Sequence, residues 1–581
     1  MILTELSEIV SAAFAKRGYD ASLGSVVVSA RPDLCQFQCN GSFEGAKKYK
    51  KAPAVIAAEA AALLEKNPVF KSVEVVPPGF LNLNAADEYI IKNVNEIYND
   101  KYCGIPQHNE TIVLDYGGPN VAKPLHIGHL RSAIIGESLK RIARATGRTV
   151  ISDVHLGDWG LQIGLVIAEY ESLYPGWRCF APDFDAEKDI TEAIDINDLN
   201  EIYPYASKKS KENESFKNRA KEITAALQNG HKGYMALWKE ILRVSVNDLK
   251  ANYRRLNVDF DCWYGESDAE KYVPELIRTL EEKGIIYESE GAMIVDVSRG
   301  DDKAPVPPVI IKKSDNSNMY STTDLATIMQ RQRDFNPDAV WYVVDKRQEL
   351  HFTQVFRCAE KAELTGAELL HLGFGTMNGS DGKPYKTRDG GVMRLSDFVE
   401  TIIDAAGKKL NESEFTAVAD KREIAEKIAA GAIKFGDLSN HRLKDYIFDI
   451  EKFLSFEGKT GTYLIYTVSR INSILKKLGI NEDAVCIKFD RIYSNVEREI
   501  FLNIALTYEA FQKAVKEKAP NIICENAYNL AALFSSFYHG NHIGSEPDKE
   551  KRAAWLSVCI IVRKMLLKQL DVLGIEPVDG M

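Results

Sequence analysis

The sequence predicts an α/β protein with a parallel-sheet domain in the middle, a small α+β region before it and an all-helical region after it. Residues from about 110 follow the order strand, loop, helix and strand, which is the βαβ pattern of a parallel sheet. The same alternation returns over residues 320–377. Beyond residue 400, long amphipathic helical patterns dominate and strand signals nearly disappear.

Residues 1–105 are expected to form the α+β region. An amphipathic helix begins the chain, two short strand-like segments follow at 25–30 and 35–41, and an alanine-rich helix comes next. A strand pair then closes around the turn Pro77-Pro78-Gly79. The basic run at 47–51, which contains a tyrosine, is interpreted as a solvated helix start, with contact to an RNA backbone as the alternative.

Residues 106–400 are expected to form the parallel-sheet domain, with a helical insertion at about 165–260 and a second insertion at about 268–317. Inside the first insertion, an acidic stretch at 183–201 is followed by a basic stretch at 203–255. This reversal is typical either of a solvated helical face or of a surface turned towards nucleic acid. Residues 401–581 complete the chain as the helical region.

The composition excludes several classes of protein. With 45% hydrophobic and 27% charged residues, the chain of 581 residues has ordinary globular usage rather than a disordered or fibrous composition. Its net charge of −10 excludes a globally basic surface, although not a local one. The nine cysteines include no Cys-x-x-Cys, so we expect free thiols and no zinc site. His539 and His542 lack a third metal ligand.

The first twenty residues do not have the pattern of a secretory signal. Glu5 and Glu8 lie where such a signal needs a basic start and an apolar run. No apolar run reaches the roughly 18 residues that a membrane-spanning helix needs. We therefore expect a cytoplasmic protein without a membrane anchor.

The strongest functional signal is the tetrapeptide His126-Ile127-Gly128-His129, where a loop enters the first helix of the parallel-sheet domain. The free N–H groups and the dipole of a helix start favour anions. A glycine lets a phosphate or a flat group approach closely, and imidazole donors can stabilise the charge of a transition state. The alternative is a pair of surface histidines at a helix cap.

A second signal is the glycine-rich loop at 378–391, which carries Lys383, Lys386 and Arg388. Because it follows a predicted strand, we expect it at the carboxyl edge of the sheet, where ligands bind in such folds. Mobile cations on a glycine-rich loop suit a lid that clamps a polyphosphate. A plain exposed hairpin is the alternative, and no phosphate-binding P-loop motif is present.

Five segments with these motifs resemble class I arginyl-tRNA synthetases, in the same order along nearly the whole chain. They are DYGGPNVAKPLHIGHLRSAIIGESL, DVHLGDWGLQIG, YSTTDLA, GKPYKTRDGG and FEGKTGTYLIY. The resemblance implies a class I Rossmann-type catalytic domain at 106–400, an N-terminal domain that binds the tRNA elbow and a helical domain that binds the anticodon. It also implies a monomer that takes L-arginine, tRNA and ATP with Mg²⁺ as its substrates.

The resemblance implies that ATP phosphates are held by both histidines, the glycine between them and the lysines of the mobile loop. These residues are His126, Gly128, His129, Lys383 and Lys386. Catalysis is assigned to both histidines, to Lys386 and to Lys123, which lies just before the histidine motif. In related enzymes that lack the common Lys-Met-Ser-Lys-Ser loop, a lysine at this position is thought to supply the missing charge.

The arginine pocket implied by the resemblance contains five residues. Tyr320 and Asp324 match the block that receives the guanidinium, for which a carboxylate is the right partner. Gln348 matches a further pocket position, Asn120 is expected to contact the amino acid, and Asp115 matches an acidic position near the substrate amine. Without the resemblance, Asp324 could be only an acid in the first turn of a helix.

For tRNA, Phe80 and Asn82 match the aromatic and the amide with which the N-terminal domain reads an unpaired base. The alternative is that both residues only pack the strands of the small domain. No anticodon-reading residues can be named from the sequence.

The sequence departs from the family pattern at three places. The mobile loop has Lys-Pro-Tyr-Lys-Thr-Arg, Gly117-Gly118 stands where the family usually has Ser-Ser, and the chain ends in Val-Asp-Gly-Met instead of Glu-Arg-Met. Losing the serine hydroxyls removes a contact to the substrate amine. The rival interpretations are another class I synthetase, which would lack Asp324 as a guanidinium partner, and a catalytically weak or inactive paralogue that binds tRNA.

Overall fold

The computed structural model describes residues 2–313, 320–379, 381–383, 393–412, 420–480, 487 and 489–578. Its N-terminal region consists of α1 (Ile2–Lys16), β1 (Val26–Val28), β2 (Phe37–Cys39), α2 (Gly41–Tyr49), α3 (Pro53–Leu64), β3 (Phe70–Val76), β4 (Phe80–Ala85) and α4 (Asp87–Asn99). The four strands form one antiparallel sheet in the order β1-β2-β4-β3. The predicted α+β unit, with its strand pair around the Pro-Pro-Gly turn, is confirmed.

The basic run of this region ends a helix instead of beginning one. Lys47 and Lys48 lie in the last turn of α2, and Lys50 follows in the left-handed conformation with φ 54°. The predicted helix start was therefore wrong. The arrangement is favourable because lysines near a helix C-terminus compensate the negative end of its dipole.

The middle of the chain contains the parallel sheet and its insertions. Its elements are β5 (Thr111–Tyr116), α5 (Leu130–Ala145), β6 (Thr149–Asp153), α6 (Leu161–Leu173), α7 (Ile196–Glu212), α8 (Glu214–Gln228), α9 (Lys232–Arg255), α10 (Glu266–Ala269), α11 (Val273–Glu282), β7 (Ile286–Ser289), β8 (Ala292–Val295), β9 (Val309–Lys312), α12 (Tyr320–Phe335), β10 (Ala339–Val343), α13 (Glu349–Ala362), β11 (Glu368–His371), β12 (Met377–Asn378) and α14 (Leu395–Glu412).

The parallel sheet has the order β11-β10-β5-β6. The connection from β5 leads to β6 on one side, whereas the connection from β10 leads to β11 on the other. The connections therefore lead away from each other on the two sides of the β5–β10 pair, although all four strands are parallel. Ligands bind at the carboxyl ends of the strands at such a switch point. Both strands are buried on both faces, as parallel strands normally are.

The insertions pack against this sheet domain. Helices α7, α8 and α9 lie within the segment expected to be the first insertion. Trp238 on α9 donates a hydrogen bond to the carbonyl of Asp158 in the loop after β6 (2.9 Å). The second insertion holds an antiparallel sheet in the order β7-β8-β9. The contact of Trp238 with Asp158 places α9 beside the carboxyl edge of the parallel sheet.

The C-terminal region is helical apart from one two-residue strand among the described residues. Its elements are α15 (Lys421–Leu438), β13 (Tyr446–Ile447), α16 (Ile450–Phe453), α17 (Gly461–Lys477), α18 (Asn495–Ala505), α19 (Thr507–Glu517), α20 (Asn521–Gly540) and α21 (Lys549–Val572). Among the described helices, none has the length and the apolar character that crossing a membrane requires.

A buried ion pair joins the helical region to the first helix of the sheet domain. Arg131 on α5 contacts Asp437 on α15, with 2.9 Å between Nε and Oδ2, and Tyr446 donates to the same carboxylate. Both charged side chains are nearly inaccessible to solvent. Removing one partner of such a pair is costly, because the other charge stays buried. The pair therefore holds the start of α5 in a defined position.

Candidate active site

The histidine motif lies at the predicted place, in the loop that leads from β5 into α5. His126 caps a short 3₁₀ turn that runs into the helix, and the backbone N–H of Gly128 donates to His126 Nδ1 (3.1 Å). The N–H of His126 in turn donates to His129 Nδ1 (3.1 Å). The two imidazole rings are 3.9 Å apart. This reciprocal cap fixes both side chains on one side of the helix start.

The same hydrogen bonds determine the protonation of the two imidazoles. Each Nδ1 accepts a backbone N–H, so a neutral ring carries its proton on Nε2. Burial, followed by the charge of Lys123, lowers the pKa of His126. Burial, followed by His126 and Lys123, lowers the pKa of His129 to about 3. At neutral pH the site therefore offers two uncharged Nε2–H donors, which suit phosphate oxygens.

The residues that follow the glycine-rich loop lie directly beside this motif. His126 forms an antiparallel bridge with Arg394, and Ile127 N donates to the carbonyl of Met393 (3.2 Å). On the other side of the loop, Lys383 is exposed and its carbonyl accepts from Gly379 N (2.8 Å). Lys386 lies outside the described residues. Met393 and Arg394, which follow the loop, thus lie next to the histidine motif.

Lys123 is half-buried in the loop before the motif, where its backbone N–H donates to the carbonyl of Asn120 (3.3 Å). Its positive charge is one cause of the lowered pKa of both His126 and His129, after burial. The position agrees with the assignment of Lys123 to the phosphate site, which stays a prediction.

The structure explains one of the two glycines that replace the family's serines. Gly117 has φ +90°, and a Cβ atom there would lie 3.0 Å from Phe260 Cζ and 3.1 Å from the Tyr253 hydroxyl. A side chain at Gly117 would therefore be strained and crowded. Gly118 has an ordinary φ, and the atoms nearest to its would-be Cβ are about 3.9 Å away. Only the second position could accept a serine without rearrangement.

Asn120 lies where the loop meets the segment after β6. Its backbone forms a parallel bridge with Gly157, and Val121 N donates to the carbonyl of Gly157 (3.0 Å). A Cβ atom on Gly157 would lie 2.2 Å from Asn120 Oδ1. The glycine therefore leaves the space that the Asn120 amide occupies, and the amide is held at the carboxyl edge of the sheet.

The two residues expected to receive the guanidinium share one face of α12. Tyr320 begins the helix and is 59% exposed, and Asp324 follows one turn later. Because α12 runs into the parallel strand β10, its N-terminus lies at the carboxyl edge of the sheet. Gln348, in the turn after β10, is exposed at the same edge. The structure thus brings all three to the edge that also carries the histidines.

Asp324 already has a partner that the sequence did not predict. His351 Nε2, on the first turn of α13, lies 2.6 Å from Asp324 Oδ2. The hydrogen bond to Asp324 raises the pKa of His351, although burial opposes the charge. The sequence shows only that His351 lies three residues after Gln348, near the start of the same helix. No motif in it links His351 to Asp324.

Asp115 is buried in a charged network under the site. Arg331 Nη2, from the middle of α12, contacts Asp115 Oδ2 at 2.7 Å and Asp153 Oδ2 at 2.8 Å. His155 Nδ1 lies 3.7 Å from Asp153 Oδ2. Burial opposes the charge of His155, but Asp153 and Asp115 raise its pKa to about 9. The Asp115 carboxylate is thus already occupied by Arg331, and its contact with the substrate amine stays a prediction.

A cavity of about 490 Å³ opens beside Tyr320. Its wall also includes Trp159, Lys313 and three acidic residues, which are Glu222 on α8, Glu266 on α10 and Glu270 in the next turn. Burial, together with nearby carboxylates that include Asp324, raises the pKa of Glu266 to about 7. Several carboxylates around one cavity suit a cationic ligand. Glu266 was missed from the sequence because no motif marks it.

The predicted tRNA contacts lie in the N-terminal sheet. The Phe80 ring is partly exposed and packs edge-on against Phe43, with 4.9 Å between the ring centroids. Asn82 is buried, and its Oδ1 accepts from Gln38 Nε2 (2.9 Å). Both assignments stay predictions, and for Asn82 the burial favours the alternative of packing within the sheet.

Within the described ranges, no group of three or more histidine, cysteine, aspartate or glutamate side chains is arranged to hold a metal ion.

Comparison with known families finds three matches along the chain. Residues 4–85 match the arginyl tRNA synthetase N terminal domain, residues 93–450 match the catalytic domain of the class I (R) tRNA synthetases, and residues 464–581 match the DALR anticodon binding domain. The chain belongs to the arginyl-tRNA synthetase family. 

The similarity to members of this family extends over the full length. The arginine--tRNA ligase of Alkaliphilus oremlandii is 47% identical over 100% of both chains. Among solved structures, the arginyl-tRNA synthetase of Plasmodium falciparum has a TM-score of 0.83 at 24% identity, covering 100% of this chain and 99% of its own. The Thermus thermophilus arginyl-tRNA synthetase has a TM-score of 0.80 at 21% identity over 100% of both chains. The structural matches confirm the predicted fold class.

Proposed function

We infer that the chain ligates L-arginine to its cognate tRNA in two steps at the carboxyl edge of the parallel sheet. In the first step the arginine carboxylate attacks the α-phosphorus of ATP, which gives arginyl-adenylate and pyrophosphate. In the second step the 2′-hydroxyl of the terminal adenosine takes the arginyl group, and AMP leaves. The observation that carries this proposal is the neutral pair of His126 and His129, locked at a helix start at the edge to which α12 also brings Asp324.

In the adenylation step, ATP enters as its Mg²⁺ complex. His126 and His129 donate from Nε2 to phosphate oxygens, where charge increases in the transition state. A Cβ atom on Gly128 would lie 2.8 Å from Cε1 and Nδ1 of His126, so the glycine leaves room for that ring to stand beside the phosphates. Lys123 supplies a positive charge from the loop before the motif. The glycine-rich loop closes over the phosphates with the remaining lysines, Lys383 and Lys386.

In the same step, the guanidinium of arginine is received by Asp324, with Tyr320 and Gln348 around it. A carboxylate can accept two parallel N–H bonds from the planar guanidinium, which lysine cannot offer. Asn120 contacts the amino-acid end of the substrate, and Asp115 acts near its amine through the charged network under the site. The pocket thereby selects for charge and for shape.

The remaining regions bind tRNA. We assign residues 1–105 to the tRNA elbow, with the partly exposed Phe80 as a contact, residues 106–400 to catalysis and residues 401–581 to the anticodon. We also propose a cytoplasmic monomer. The described cysteines are all free, which suits a reducing compartment. Light scattering of the purified chain, at about 65 kDa for a monomer, tests the oligomeric state.

Charging of tRNA tests the proposal directly. The chain is incubated with ATP, Mg²⁺, total tRNA and each labelled amino acid, and the label that becomes esterified to tRNA is counted. We expect label from arginine alone. A tRNA-binding paralogue without activity would retain tRNA on a filter but esterify nothing. No observation favours that alternative, and the chain retains His126, His129 and Asp324.

A further inference from the structure

The carboxylate assigned to the guanidinium is already held by an imidazole. His351 Nε2 lies 2.6 Å from Asp324 Oδ2, and both side chains are partly exposed, at 34% and 26%. The two residues come from different helices, so the contact joins the start of α12 to the start of α13. Among the described residues, no hydrogen bond reaches Asp324 Oδ1. One oxygen of the carboxylate is therefore held by the protein and the other is open.

The charged and titratable neighbours of this pair come from several elements. Glu266 from α10 and Tyr342 from β10 both sense the charge of Asp324. On α12 itself, Arg331 lies further along the helix and is neutralised by Asp115 and Asp153. On the side of His351, Phe352 separates the pair from His371 of β11, on whose ring it stacks. 

The hydrogen bond to Asp324 determines the protonation of His351 in the absence of substrate. The bond to Asp324 raises the pKa of His351 above its ordinary value of 6.5. In the absence of substrate, the pair is therefore an imidazolium bound to a carboxylate over the lower part of the neutral pH range. A guanidinium that approaches the same carboxylate meets this positive charge.

We propose that His351 is a positioning residue for Asp324. Without arginine, its imidazolium binds the carboxylate in place of the guanidinium, and when arginine binds, His351 releases one proton to solvent. The inference rests on the proposed role of Asp324. The proton leaves from Nδ1, and Nε2–H continues to donate to Asp324 Oδ2. The total charge of the site is unchanged, because one positive charge leaves as a proton and one arrives with arginine. The carboxylate thus stays oriented in both states without being left unpaired.

The direction in which the arginine affinity changes with pH follows from the proton release. Because binding expels a proton, arginine binds more tightly as the pH rises through the pKa of His351 in the free enzyme. Below that pKa, the release of one proton changes the affinity by up to about tenfold per pH unit. Above it, the affinity reaches a plateau.

Glu266 is a second source of the same dependence and has to be separated. Its pKa is raised to about 7, so it also loses its proton in this range, and its negative charge would also favour a cation. The variants His351→Gln and Glu266→Gln each remove one titrating group while keeping size and polarity. Glutamine at 351 retains an N–H donor for Asp324 but does not titrate.

The experiment is titration calorimetry of L-arginine into the full chain between pH 6.0 and 8.0, in buffers with different ionisation enthalpies. These buffers reveal how many protons are released. For the parent we expect proton release and affinity that increases with pH. For His351→Gln we expect affinity within about threefold of the parent at pH 8.0, a flatter pH profile and fewer released protons. In exchange assays, its kcat at saturating arginine should stay near the parent, since His351 does not touch the reacting atoms.

Two other variants make the outcomes distinguishable. His351→Ala leaves Asp324 without its donor, so arginine should bind more weakly at every pH. If His351→Gln keeps the full proton release and Glu266→Gln abolishes it, the inference is overturned and Glu266 is the titrating group. Asp324→Asn tests the underlying assignment: unchanged arginine affinity in this variant overturns the role of Asp324 itself. ATP binding, measured in all four variants, reports whether the fold is intact.

Discussion

Replacing His129 by alanine separates two tasks that this side chain performs. Its Nδ1 accepts the N–H of His126 and completes the cap of the helix start. Its Nε2–H is free to donate to a phosphate oxygen. Loss of a cap costs about 1 kcal/mol of the free energy of unfolding. Loss of one preorganised transition-state donor costs about 3 kcal/mol, or roughly a hundredfold to a thousandfold in rate.

The control is His129→Gln. Glutamine at this third helical position can reach back to the capping N–H, as in ordinary capping boxes, but it cannot reproduce the rigid imidazole donor. We therefore expect His129→Gln to recover most of the stability lost in His129→Ala, while its rate of adenylate formation stays at least about tenfold below the parent.

The assay is single-turnover formation of arginyl-adenylate in the presence of tRNA, combined with urea unfolding. The pKa of His129 is lowered to about 3, so the ring stays neutral throughout the assay range. The ratio of parent to variant rates should therefore be constant between pH 6 and 9. A rate for His129→Ala within twofold of the parent, or a ratio that changes with pH, would refute this reasoning.

Three further predictions follow from the geometry of the site. Gly117→Ser should reduce the free energy of unfolding by about 1–3 kcal/mol, because φ +90° is strained for serine and the space is filled. Gly118→Ser should be as stable as the parent, so equal melting temperatures for the two variants would contradict this prediction. His155 contributes stability below its unfolded pKa of 6.5 that is lost as the pH rises through about 9, up to about 3 kcal/mol, so His155→Gln should flatten this part of the pH–stability curve in urea titrations. Lys123→Ala should lower the rate of adenylate formation strongly with nearly unchanged arginine binding, and Lys123→Arg should recover part of the rate; activity of Lys123→Ala within twofold of the parent would defeat this assignment.

The sequence was most informative where chemistry and chain position coincide. The histidine motif was predicted because its spacing, the preceding strand and the following helix all lie within one short segment. Tyr320 and Asp324 were placed correctly at the start of a helix for the same reason. The order of elements around residues 110–150 and 320–377 predicted the parallel sheet, since βαβ units have few alternative topologies.

Contacts between distant segments could not be predicted in this way. Arg331 is an arginine in an ordinary helical pattern, and only the fold shows that it is buried between Asp115 and Asp153. The bond between His351 and Asp324 joins two helices that a strand separates in the sequence.

Local patterns were also ambiguous about direction and backbone conformation. The basic run at 47–51 fits either end of a helix, and only the left-handed Lys50 shows that α2 ends there. Gly117 looked like a lost serine contact, yet its φ and the aromatic side chains around it show that the backbone itself requires glycine.

The central claim is that arginine is activated with ATP at the carboxyl ends of β5 and β10. Exchange of labelled pyrophosphate into ATP, with tRNA present and each amino acid in turn, tests it most directly. We expect exchange with arginine alone in the parent, and a large increase in the arginine concentration that Asp324→Asn needs for exchange. Exchange that is driven by another amino acid and not by arginine would contradict the account.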